Sequence, residues 1–107
     1  MRKLILSKRA SNRLDKLLEY LEQEWSLKVK EDFIKKLDKS LNQIQKFPDS
    51  CPNTDFVKGL HMLVVTKQTS LFYRFDSKTI KVVTIIDNRM NPDNLKKELK
   101  QPRFIIE

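Results

Sequence analysis

The sequence predicts an α+β domain in the order β-α-α-β-β-β, a helical hairpin packed on a small, mainly antiparallel sheet, with a short helix after the last strand. Three observations carry this expectation. Two long stretches repeat apolar residues at helical spacing. Three later stretches alternate at strand spacing, and the turns between them are short enough to force antiparallel neighbours. Only one Gly and four Pro punctuate the chain, too few for a loop-rich fold.

The elements follow in order. Leu4, Ile5 and Leu6 make a short apolar run, which predicts a strand over Lys3–Ser7. Ser7 is a ready N-cap for a first helix, whose apolar face is Ala10, Leu14, Leu17, Leu18, Leu21 and Trp25. Arg13, Asp15, Lys16, Glu19, Glu22 and Glu24 lie between them and suit the solvent side. Ser26 caps a second helix with the stripe Val29, Phe33, Leu37, Leu41, Ile44 and Phe47, and Ile34 on its flank. Trp25 is expected to close the core of the hairpin, and Pro48 to stop the second helix.

Turn formers fill Asp49–Asp55, and three strands are predicted over Leu60–Thr66, Ser70–Phe75 and Thr79–Asp87. Along the last, Ile80, Val82, Thr84 and Ile86 alternate against Lys81, Val83, Ile85 and Asp87. Both sets contain apolar residues, so the sheet is expected to be covered on one face and partly buried on the other. Pro92 in a first turn predicts a helix over Asp93–Lys100, followed by a tail with Phe104, Ile105 and Ile106.

The 107 residues suffice for one domain. A net charge of +8 favours an anionic partner: RNA, DNA, an acidic protein or a membrane surface. The single cysteine, Cys51, allows no internal disulfide. No stretch is apolar enough for a signal peptide or a bilayer span, which predicts a cytoplasmic protein without membrane association. A Gly-rich phosphate loop, Cys/His metal spacing and a nucleophile elbow are all missing, so no cofactor and no metal are expected.

The element order is joined by Ser7-Lys8-Arg9-Ala10, Ile44-Gln45-Lys46-Phe47-Pro48, Lys58-Gly59-Leu60-His61, Leu71-Phe72-Tyr73-Arg74 and Ile85-Ile86-Asp87-Asn88-Arg89-Met90-Asn91-Pro92. With these stretches in this order and spacing, the chain resembles the RelE/ParE toxin superfamily. The likeness runs from about Leu4 to Pro92. The resemblance implies the toxin of a type II toxin–antitoxin pair, silenced in a hetero-oligomer by a cognate antitoxin whose extended segment wraps it. It also implies one of two mechanisms. ParE-like members bind and inhibit DNA gyrase; RelE-like members enter the ribosome and cut mRNA. A degenerate relative that only binds an antitoxin is the third reading.

RelE-like nucleases commonly place an Arg before the apolar-Tyr motif and a His or Tyr near the end of the last strand. Here Ser70 and Asp87-Asn88-Arg89 stand at those places, which tilts the expectation toward target binding without chemistry. Should the chain cut RNA, the general base and phosphate clamp would be drawn from His61, Asp87 and Arg89. Contacts to an anionic target are expected from Lys58, Lys67, Arg74 and Arg89. Phe56, Val57, Leu63, Val65 and Phe104 exceed what so small a core needs, and are expected to mark the antitoxin groove if they are exposed.

Overall fold

A computed structural model describes residues 2–54 and 57–88. Strand β1 is Lys3–Leu6, helix α1 is Lys8–Glu24 and helix α2 is Leu27–Lys46. A 3-10 turn over Pro48–Ser50 leads toward β2 (His61–Val64), β3 (Thr69–Phe75) and β4 (Thr79–Asp87). The predicted helix over Asp93–Lys100 lies outside the described residues.

Both helices begin where their serines allow. The Ser7 hydroxyl accepts from the Ala10 N–H at 3.0 Å, and the Ser26 hydroxyl from the Val29 N–H at 3.1 Å. Each thereby satisfies a backbone donor that has no partner inside its helix. The Ser26 N–H turns back to the Leu21 carbonyl, and Lys30 meets Glu22 at 2.8 Å across the hairpin.

The sheet runs β1-β4-β3-β2, with β1 parallel to β4 and the other pairs antiparallel. The helical hairpin thus carries the chain from one edge of the sheet to the other. Its stripe of Leu17, Leu21, Phe33, Leu37 and Ile44 packs on Leu63, Leu71, Tyr73, Ile80, Val82 and Ile85. Each such side chain contributes roughly 1.5–3 kcal/mol when fully buried. A second cluster of Leu60, Phe72, Val83 and Ile86 covers part of the opposite face, flanked by Val57 and Met62. Both faces carry apolar residues for that reason.

Strand β4 departs from simple alternation. Phe72 pairs with Thr84 and Tyr73 with Val82, so Val83 is a surplus residue in a β-bulge. Beyond it the faces exchange. Ile85 joins Ile80 and Val82 against the helices, whereas Ile86 joins Val83 on the outer face. The strict period-two reading of β4 is corrected accordingly.

Two further expectations are corrected. Trp25 is 59% exposed and does not close the hairpin core; Phe47 is 65% exposed and does not join the buried stripe of α2. Each is the C-cap of its helix, with non-helical backbone angles. Helical phase no longer governs where such a side chain points.

Ser7 ties these parts together. Its hydroxyl donates to the Val83 carbonyl at 2.6 Å while capping α1, and its N–H donates to the Val82 carbonyl at 2.9 Å. Ser7→Ala loses the cap and leaves the bulge carbonyl unpaired. The expected cost is about 1.5 kcal/mol, a fall of roughly 6–12 °C in thermal midpoint. Ser7→Thr, which keeps the hydroxyl, is expected to recover most of it in the same melt.

Candidate functional site

The face of the sheet turned away from the helices is built by alternation. Strand β3 presents Ser70, Phe72 and Arg74 there; β4 presents Lys81, Val83 and Ile86; β2 presents Met62 and Val64; β1 presents Lys3 and Ile5. Arg74 stands directly opposite Lys81. Like charges in that position repel, so an anion placed between them is favoured. Among the described residues these strand positions hold three cations and no carboxylate.

Arg74 is half-buried and held from one side. Its Nη1 donates to the Lys58 carbonyl at 3.2 Å, while its Nε is buried with no hydrogen-bond partner among the described residues. Gly59 lies against it with φ of +78°, and a Cβ added there would sit 3.0 Å from Arg74 Nη1. Glycine suits the left-handed backbone, and its missing Cβ spares the guanidinium a shift of a few tenths of an ångström. Arg74 does not pair with Asp76. The Asp76 carboxylate instead accepts from the Lys78 and Thr79 N–H groups, both at 2.8 Å, which hold its pKa below the ordinary 3.8.

His61 lies on the other side of the sheet. It is 8% exposed, stacked on Tyr73 at 5.3 Å and tilted to Phe75 at 5.1 Å. Its Nδ1 meets the Cys51 carbonyl at 2.7 Å. Asp87 is 4% exposed and accepts from the Thr69 hydroxyl at 2.5 Å. His61 pairs with Tyr73 and Asp87 with Thr69, four residues apart along β3. At the ordinary strand rise that separation is roughly 13 Å, so the imidazole and the carboxylate do not converge on one phosphate. Arg89 lies outside the described residues, as do Phe56 and Phe104.

Of the remaining expected contacts, Lys58 adjoins Arg74 through its carbonyl, whereas exposed Lys67 stands apart in the β2–β3 turn. Leu63 is buried in the helix-side core and Val65 packs against it, so neither supplies the free apolar surface expected of it. Val57 packs on the outer cluster. Among the described strand residues, the exposed large apolar side chains are Val64, 58% exposed on edge strand β2, and Ile5 on edge strand β1. Sequence reasoning missed Val64 and Lys81; alternation within β2 and β4 is the signal, and it assigns their face only once the pairing with β3 is known.

No group of three or more His, Cys, Asp or Glu among the described residues is placed to hold a metal ion. No helix among them is long and apolar enough to cross a membrane.

The family model described as the ParE toxin of the type II toxin-antitoxin system, parDE, matches residues 4–92. No curated protein matches the chain. Among solved structures, a chain described as the chromosomal ParDE TA system from P. aeruginosa superimposes with a TM-score of 0.69. The match covers 81% of this chain and 96% of that one at 16% identity, a likeness of fold.

Proposed function

Because the chain belongs to the ParE toxin family of type II toxin–antitoxin systems, we propose that it is a cytoplasmic growth-inhibiting toxin that blocks DNA gyrase or a similar target by binding. The observation that carries this reading is the separation of His61 from Asp87. The candidate acid–base groups lie apart and are buried, whereas Arg74 and Lys81 form a cationic strip on the outer face. Such a strip recognises an anionic surface and moves no proton.

The β2 edge beside this face supports neutralisation by an antitoxin. Strand β2 is a sheet edge, and alternation directs the backbone groups of Met62 and Val64 away from β3. Residues 52–54 engage only its start, through the Met62 N–H and the Leu60 carbonyl. An extended antitoxin segment that continued the sheet at Val64 would cover the exposed valine and reach the cations with acidic side chains. The resulting hetero-oligomer would hold the toxin silent.

The test uses purified protein in a gyrase supercoiling reaction. Supercoiling is expected to stop, and Arg74→Glu to restore most of it. Undisturbed supercoiling together with mRNA cleavage at the ribosomal A site would replace this reading by the nuclease one. Unimpaired growth on expression without the antitoxin would leave only a non-toxic antitoxin-binding relative.

A further inference from the structure

The end of the molecule away from Asp87 carries a second cationic feature, independent of the toxin reading. An open cleft of about 680 Å³ lies between the start of β1, the end of α2 and the β3–β4 turn. It is lined by Arg2, Gln45, Lys46, Phe47, Ser77 and Lys78. Strand β4 separates this cleft from the strand exit by its whole length, roughly 26 Å at the ordinary rise per residue.

The walls are tied to one another. The Lys3 N–H donates to the Lys78 carbonyl at 2.9 Å, and Gln45 Nε2 to the Arg2 carbonyl at 3.1 Å. Arg2 Nε donates to the Asp76 carbonyl at 2.6 Å, and the guanidinium carbon lies 5.7 Å from the centre of the Phe75 ring. The strand, the helix end and the turn therefore present their side chains from one frame.

Three of the six lining residues are cations and none is acidic. The adjacent Asp76 carboxylate accepts from the N–H groups of Lys78 and Thr79 and from the Thr79 hydroxyl, and its negative charge also acts on Arg2, leaving the Lys46 and Lys78 ammonium groups less offset by it. Beside the cations stands Phe47, an apolar ring left in water at the end of a helix whose other large apolar side chains mostly reach the core. Cations alone would suit any polyanion, and a ring alone would suit an apolar peptide. Together they match a nucleotide, whose base stacks on an aromatic face while its phosphates meet the charges. A duplex keeps its base faces stacked inside, so the ring selects unpaired nucleotides.

We propose that this cleft binds single-stranded nucleic acid, with a base stacked on Phe47 and the neighbouring phosphates on Arg2, Lys46 and Lys78.

The experiment is fluorescence anisotropy of a labelled oligothymidylate of about twelve nucleotides titrated with the full-length protein at low salt. Phe47→Ala is expected to weaken binding at least about fivefold, and Phe47→Tyr, which keeps a stacking ring, to retain it. The double variant Lys46→Ala/Lys78→Ala is expected to lower the slope of log K against log salt by roughly 1.4, about 0.7 for each phosphate contact on a single strand. Lys35→Ala/Lys36→Ala removes the same charge from an exposed stretch of α2, and is expected to change binding much less. Circular dichroism confirms that each variant is folded. The proposal is overturned if the intact protein does not bind. It is equally overturned if the Lys35/Lys36 control loses as much as the cleft variant, or if Phe47→Ala binds as tightly as the original chain.

Discussion

Tyr73→Ala is expected to cost about 4 kcal/mol of folding stability, and Tyr73→Phe only about 1.5. Tyr73 sits at the centre of β3 with no exposed surface. Its ring lies 5.3 Å from that of His61 and 6.3 Å from that of Phe75, and its hydroxyl donates to the Pro48 carbonyl at 2.7 Å. Burial raises the phenol pKa well above its ordinary value, so it remains a neutral donor throughout the working range. The alanine variant loses the ring, opens a cavity beneath the hairpin and orphans the carbonyl at the stop of α2. The phenylalanine variant loses only the hydrogen bond. A domain of this size has roughly 5–15 kcal/mol in total, so the first variant approaches the unfolding threshold and the second does not. Urea denaturation of both checks the pair; equal costs would mean that the ring, and not the Pro48 bond, is incidental to the fold.

The second large effect is expected at Gly59. Gly59→Val combines a left-handed backbone with a Cβ 3.0 Å from Arg74 Nη1. The backbone strain of a β-branched residue there is about 2 kcal/mol. The contact is relieved when the guanidinium gives by a few tenths of an ångström, which is expected to loosen its hold on the Lys58 carbonyl and its alignment with Lys81. Stability is therefore expected to fall by about 2 kcal/mol, and the proposed gyrase inhibition to weaken with it. Gly59→Asn separates the two effects. Asparagine tolerates the left-handed region better, so stability returns in part, but its Cβ still displaces Arg74 and inhibition does not return. Thermal melts beside the supercoiling assay read both quantities; full inhibition by a folded Gly59→Asn protein would remove Arg74 from the target-binding strip.

Much of the fold was legible because its signals are local. The serine caps at Ser7 and Ser26, the proline stop at Pro48 and the limits of β4 all follow from neighbours in sequence. The site was less legible because it depends on register. That Arg74 faces Lys81 follows from how β3 lies on β4, which no single stretch specifies. The bulge at Val83 was invisible for a related reason. An extra valine in a run of β-branched residues changes neither composition nor propensity, only parity. Trp25 and Phe47 misled because the apolar period was extended one residue past each helix end, into backbone that is no longer helical.

That parity change reaches further than the packing of β4. Were β4 to run as a regular strand over these same residues, Asp87 would share the outward row of Lys81 and its carboxylate would face the same solvent as Arg74. With the bulge, Asp87 turns beneath the sheet to Thr69. The strand positions of the outer face among the described residues keep Lys3, Arg74 and Lys81 unopposed. One bulge thus keeps a carboxylate out of the row that holds Arg74 and Lys81. The rate at which a negatively charged partner is captured on this face is expected to fall as salt shortens the reach of those charges.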